Sequence, residues 1–343
     1  YINKAGGFYG PKGELNKAKE ALSKSLNLPN AKEIEFLKIT ALFNYAIILR
    51  HEGKSKEAYD TFKKAYLKAL RARLLPQLAM IANNIAQIKY DEREYLVSLN
   101  WLKKARKAAE TFGLRNLLLL IEHLNSIIDL SRGNSMRAKE RLEKNIENCR
   151  RLKNKFVEAI SLDALVETSF LNLDLNNSFL YGQSSLNLSY QLKNGIIFKG
   201  TLIEIIKIFF SLGEKNKALD FVKKNKADIF ISKNPPNKPV DIYIDLLFEY
   251  LNSSEIEFKR SLLNDISERL LPDYLFLFLE KFVEEENYRM CKEMVELIFS
   301  QNGIFNYFLN KIKIYFFLAK MGDKRSEHFA KDVFKMLKKS PYG

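Results

Sequence analysis

The sequence predicts an all-α solenoid of stacked antiparallel helix pairs, and three observations carry that expectation. Four small residues, Ala18, Ala58, Ser98 and Ala138, recur at intervals of 40. Each follows a turn by about five residues and precedes a large apolar residue (Leu22, Phe62, Leu102 or Leu142) by four. The apolar side chains between these points fall at helical spacing. A fixed period of this length marks repeats that bury their apolar faces against neighbours rather than around one centre.

The clearest unit spans residues 42–70. Leu42, Tyr45, Ala46 and Leu49 fall at i, i+3, i+4 and i+7, one face of an amphipathic helix. Gly53 supplies the left-handed conformation that ends it. Ser55 is the expected N-cap of the second helix, with Glu57 in its first turn. Ala58, Phe62 and Ala65 then line one face, small Ala58 allowing close approach and Phe62 filling the space between helices. The next unit repeats this with Ala86, Tyr95, Ser98, Leu102 and Ala105, and the following one with Ser126, Gly133, Ala138 and Leu142. Gly13, Ala18 and Leu22 form half of an earlier unit. Later copies are read at Gly213, Ala218 and Val222, at Tyr288, Cys291 and Leu297, and, in degenerate form, at Asn177, Gly182 and Leu186.

This pattern resembles the tetratricopeptide repeat family, firmly over residues 13–225 and thinly beyond 240. Two features depart from it. The period is nearer 40 than the family's usual value of about 34, so the helices are longer, and the family's Trp and Pro markers are missing from the good units. Longer repeats of this kind are similar to those of bacterial regulators, including the sensor arrays of ATP-dependent transcription activators and peptide-pheromone receptors. The resemblance implies a right-handed superhelix of roughly eight helix pairs.

Domain organisation follows from the breaks. Residues 1–12 read as a flexible entry segment and 13–231 as the regular repeats. Residues 232–239 (Ser-Lys-Asn-Pro-Pro-Asn-Lys-Pro) exclude any continuous helix. Residues 240–340 read as degenerate, Phe-rich helical repeats. No apolar run is long enough to cross a bilayer, and no basic-then-apolar leader is visible. A cytoplasmic setting without a membrane partner is therefore expected. The chain opens at Tyr1, so a preceding portion is expected. Cys149 and Cys291 lie too far apart for a metal or redox motif, which suits a reducing compartment.

Charge is uneven. The formal net charge is +15, and residues 1–150 carry 28 basic against 16 acidic side chains, whereas 251–300 carry 6 against 11. Lys and Arg crowd 103–107 and 137–155, the footprint of a nucleic-acid-binding helical repeat. Glu140, Glu143 and Glu147 are interspersed at ion-pair spacing and no aromatic residues interleave, which favours a solvated helix face.

Catalytic chemistry finds no foothold. His51, His123 and His328 have no second ligand at i+3 or i+4, so neither a metal site nor any other cofactor is expected. The Gly-rich stretch 6–13 lacks the spacing of a phosphate loop. No nucleophile motif is present, and Glu284–Glu286 reads as a solvated helix end. The chain is expected to be no enzyme.

In the resembling family, the first helix of each pair lines the concave face. Carrying the register over gives Phe43, Asn44, Ile47 and Arg50, then Asn83, Asn84, Gln87 and Tyr90, then His123, Leu124 and Ile127, and finally Glu167 and Leu171. The amides of Asn83, Asn84 and Gln87 stand out, because each donates and accepts and so matches an extended peptide backbone. Arg50 suits an acidic side chain or a terminal carboxylate. The expected function is a scaffold that binds a protein or peptide, as the sensor region of a larger bacterial regulator. Nucleic acid is the first alternative. Self-association through Phe276, Phe278, Phe282, Phe305, Phe308, Phe316 and Phe317 is the second.

Overall fold

The structure is a computed structural model that describes residues 15–27, 35–212, 214–231 and 287–300, with isolated positions between 275 and 331. The entry segment, the Pro-rich break and most of 240–340 lie outside the described residues. The helices are α1 (Leu15–Leu26), α2 (Glu35–His51), α3 (Ser55–Arg71), α4 (Leu75–Asp91), α5 (Tyr95–Thr111), α6 (Arg115–Ser131), α7 (Ser135–Arg151), α8 (Lys155–Leu171), α9 (Leu175–Gln191), α10 (Gly195–Ser211), α11 (Lys215–Ile231) and α12 (Tyr288–Ser300). No strand occurs among the described residues. The fold is an all-α helical repeat of stacked pairs, similar to tetratricopeptide-like arrays.

From α2 to α11 every helix has 17 residues and begins 20 after its predecessor. The 40-residue period is thus two equal halves, and the turns explain why. Three residues separate consecutive helices, and the middle one takes positive φ: Gly53 (77°), Arg73 (55°), Arg93 (61°), Gly113 (63°), Gly133 (84°), Lys153 (56°), Leu173 (58°) and Lys193 (52°). Around Gly53, its own N–H donates to the Arg50 carbonyl at 3.0 Å and the Lys54 N–H to the Leu49 carbonyl at 2.9 Å. The same pair recurs at the other turns, for example Asp174 to Ser169 at 2.9 Å. This Schellman closure satisfies carbonyls that a helix end otherwise orphans.

A non-glycine residue pays about 1–2 kcal/mol for the left-handed region. At Arg73, Arg93, Lys153 and Lys193 a cation at the helix C-terminus offsets part of that, by about 0.3–1 kcal/mol. Leu173, 80% exposed, has no such compensation. The N-termini are simpler than expected. Lys54, not Ser55, occupies the N-cap of α3 and makes no side-chain capping bond. Side-chain caps are formed by Asn154 (from the Val157 N–H, 3.1 Å), Asp174 (from Asn177, 3.4 Å) and Asn194 (from Ile197, 3.1 Å).

The crossing of each pair depends on the fourth residue of its second helix. Ala18, Ala58, Ser98, Ala138, Ser178 and Ala218 all sit there with no exposed surface. Where serine replaces alanine its hydroxyl donates across the crossing, Ser98 to the Ala86 carbonyl at 2.7 Å and Ser178 to the Val166 carbonyl at 2.6 Å. The expected copy at Asn177, Gly182 and Leu186 is therefore out of register by four: Ser178 is the small residue. Gly182 stands where Leu22, Phe62, Leu102 and Leu142 provide bulk. Its missing side chain is replaced by Ile205 of α10, whose Cδ1 lies 2.7 Å from where a Cβ on Gly182 would sit.

The chain divides into two compact units, Tyr1–Asn125 and Ser126–Gly343, with the division inside α6. In the first, α1 packs on α2, α2 on α3, α3 on α4, α4 on α5, and α2 also meets α4. Its core joins Ile39, Ala46, Leu49, Ala58, Phe62, Ala65, Leu78, Ile81, Ile85 and Ile88. Fully burying each large apolar side chain contributes about 1.5–3 kcal/mol. In the second, α7 packs on α8, α8 on α9, α9 on α10, α10 on α11, and α8 also meets α10. Its apolar cluster of Leu142, Ile146, Leu162 and Leu165 is complemented by buried hydroxyls, Ser161, Ser185 and Thr201 among them.

Both cysteines are buried. Burial, with the Glu158 carboxylate second, pushes the Cys149 thiol up to about 11 and keeps it protonated. Of the seven phenylalanines expected to serve self-association, Phe278 and Phe282 are described, and both are buried within the chain; the other five lie outside the described residues.

Gly182→Leu should restore bulk where Ile205 already stands. Equilibrium urea denaturation is expected to show a loss of about 1–3 kcal/mol, largely recovered in Gly182→Leu/Ile205→Ala. An unchanged midpoint in the single variant would contradict the register.

Candidate functional site

Counting from the first residue of each 17-residue helix, positions 9, 10, 13 and 16 of the first helix in a pair hold the expected ligand-facing side chains. On α2 these are Phe43, Asn44, Ile47 and Arg50, and on α4 they are Asn83, Asn84, Gln87 and Tyr90. All are half-buried. Phe43 and Ile47 lean on the core, with the Phe43 and Phe62 rings 5.7 Å apart edge to face. The polar members form the outer layer. Because α2 packs on α4, Arg50 reaches across and its Nη1 donates to Asn84 Oδ1 at 3.4 Å.

The three amides are not equivalent. Asn84 Nδ2 donates back to the Met80 carbonyl at 3.0 Å, and Gln87 Nε2 donates to Asp91 Oδ1 at 3.1 Å. Both donors are thus held by their own helix, which fixes the orientation of the amide planes. Asn83 differs: its Oδ1 is buried and accepts no hydrogen bond. A buried amide oxygen without a donor costs about 1–3 kcal/mol. Tyr90 lies beside Tyr95, ring centroids 5.9 Å apart.

His123 sits half-buried on α6. The imidazoles of His51 and His328 lie outside the described residues. Leu124 corrects the expectation, because its side chain is 2% exposed and belongs to the core. No group of three or more His, Cys, Asp or Glu suited to a metal occurs among the described residues.

In the second unit the same register carries carboxylates. Glu167 takes the place of Gln87, half-buried on α8, whereas Leu171 falls one residue past the place of Tyr90, which Phe170 takes. Asp163, absent from the residues expected to face a ligand, takes the place of Asn83. Thr201 Oγ1 donates to Asp163 Oδ1 at 2.6 Å and lies 2.9 Å from Ser185 Oγ, whose hydroxyl is 3.2 Å from the Ala159 carbonyl. The signal for Asp163 is its spacing: it stands 80 residues after Asn83.

The basic stretch 137–155 is broken up by folding. Arg137 and Arg141 both approach Asp129 Oδ2 at 3.4 Å, Lys139 pairs with Asp174 at 2.6 Å, and Arg150 pairs with Glu158 at 2.7 Å. Arg106 pairs with Glu122. Trp101 stands two residues before the basic stretch 103–107. Its face is covered by Lys104 Nζ at 4.2 Å and Tyr66 approaches at 5.0 Å, so it offers no open ring for a base.

No protein-family model and no curated protein matches this chain. Solved structures do. The crystal structure of a Rap protein complexed with competence and sporulation factor superimposes with a TM-score of 0.64 at 12% identity, over 98% of this chain and 82% of that one. The crystal structure of BtubC (BKLC) from P. vanneervenii gives 0.51 at 16% identity, over 66% of this chain and 94% of that one. At these identities the likeness is one of fold.

Asn83→Ala removes the orphaned oxygen and is expected to leave the unliganded protein at least as stable as the parent, by up to about 1 kcal/mol in urea denaturation. A loss above about 1 kcal/mol would mean that the amide serves the fold.

Proposed function

We propose that this chain is a non-enzymatic helical-repeat scaffold that captures a protein or peptide segment on the first-helix face of its pairs. The observation that carries the reading is the row of half-buried amides Asn83, Asn84 and Gln87, two of them oriented by their own helix. A side-chain amide can both donate to and accept from an extended backbone. Arg50, poised at one end of the row, provides a cation for an acidic side chain or terminal carboxylate. The fold likeness to a Rap protein crystallised with competence and sporulation factor supports the same reading.

On this reading the chain is the sensor or interaction part of a larger bacterial regulatory protein in the cytoplasm, where its buried thiols stay reduced. The nucleic-acid alternative draws less support, since folding pairs four of the eight cations of 137–155 with carboxylates.

Selection from a random peptide library on the immobilised chain yields ligands without assuming any peptide sequence. Asn83→Ala and Gln87→Ala are each expected to weaken the selected peptides about tenfold, the value of one lost hydrogen bond of about 1.4 kcal/mol. Full retention of affinity in both variants would place binding elsewhere.

A further inference from the structure

The connections between pairs differ chemically from the connections within them. Segments 70–77, 110–117, 150–157 and 190–197, which join one pair to the next, carry eight basic residues and one acidic residue. The within-pair segments 50–57, 90–97, 130–137, 170–177 and 210–217 carry eight basic and seven acidic. Exposed aromatic side chains divide the same way. Among the described residues these are Phe36, Phe112, Phe156 and Tyr190, and all four flank between-pair connections.

The feature is densest in the second unit. Connections 152–154 and 192–194 precede α8 and α10, which pack together and begin at the same end because successive helices run antiparallel. Arg151, Lys153 and Lys155 are exposed there, and no carboxylate pairs with them among the described residues. Phe156, Tyr190 and Ile196 flank the same two connections, exposed by 47, 53 and 50%. Lys153 and Lys193 also hold left-handed backbone, at φ 56° and 52°, where glycine costs less.

We propose that this end of the second unit docks on an anionic lipid surface, its cations against the headgroups and Phe156, Tyr190 and Ile196 entering the interfacial layer. Cations interspersed with half-exposed apolar side chains are the composition of interfacial binding. Two connections at one end of a packed helix pair offer cations and exposed apolar side chains together, which suits a plane, whereas a nucleic-acid strand favours a trough and a π-face at each base. Ile196 has no π-face. A second copy of the same edge would meet it with like charge. No described helix is long and apolar enough to cross a bilayer, and the inference concerns surface contact alone.

The test is sedimentation of the whole chain with vesicles of phosphatidylcholine plus phosphatidylserine, against phosphatidylcholine alone. Binding is expected only with phosphatidylserine, and high salt should abolish it. Arg151→Gln/Lys153→Gln/Lys155→Gln should weaken it about a hundredfold, at about fivefold per cation. Phe156→Ser/Ile196→Ser should weaken it while keeping the salt dependence. Arg132→Gln/Lys217→Gln, at within-pair connections, should leave it within about fivefold of the parent. Thermal melts by circular dichroism establish that each variant is folded. Three results would overturn the proposal: no phosphatidylserine-dependent binding, an equal loss in the within-pair variant, or capture of poly(U) RNA that the triple variant abolishes while the vesicles bind nothing.

Discussion

Every described pair rests on one steric constraint, the space available at the fourth residue of its second helix. Helix backbones approach closely only where a side chain stops at Cβ or Oγ, and alanine or serine fills that position six times without exposed surface. The hydroxyls of Ser98 and Ser178 show how close the approach is, since each reaches a carbonyl of the partner helix at 2.7 and 2.6 Å. Four residues on, a large apolar side chain closes the space beside the crossing. At Gly182 the arrangement is inverted and Ile205 comes from the following helix, so the volume is kept while its source changes.

The second constraint is length. A left-handed residue every 20 positions ends each helix after 17 residues, so equivalent residues of successive first helices fall on equivalent faces. That regularity converts sequence position into surface chemistry. The helix positions that carry Asn83 and Gln87 in the first unit carry Asp163 and Glu167 in the second, and connections of one kind collect cations while those of the other kind balance them.

Much of this was legible in the sequence, and what was not has identifiable causes. Gly53 and Gly133 announced their turns because glycine favours positive φ. Arg73, Arg93, Lys153, Leu173 and Lys193 hold the same conformation without any such signal, so the 20-residue half-period went unseen behind the 40-residue one. Glycine misled at position 182, where it replaces bulk rather than marking the close crossing, and drew the fifth copy four residues out of register. Asn83 and Gln87 were recognisable as a polar stripe. Leu124 was not separable from its neighbours, because an apolar residue at the edge of a stripe can face either way. The pairings of 137–155 with Asp129, Asp174 and Glu158 span up to 35 residues, beyond what charge spacing within one helix reveals.

The crossing itself offers the most direct test. Ala58 belongs to the core of the first unit and leaves no room for a larger side chain. Urea denaturation of Ala58→Leu, followed by far-ultraviolet circular dichroism, should show a loss of about 2 kcal/mol or more, since added methylenes in a packed core force its backbones apart. A midpoint and slope indistinguishable from the parent would mean that the helices do not cross at this residue.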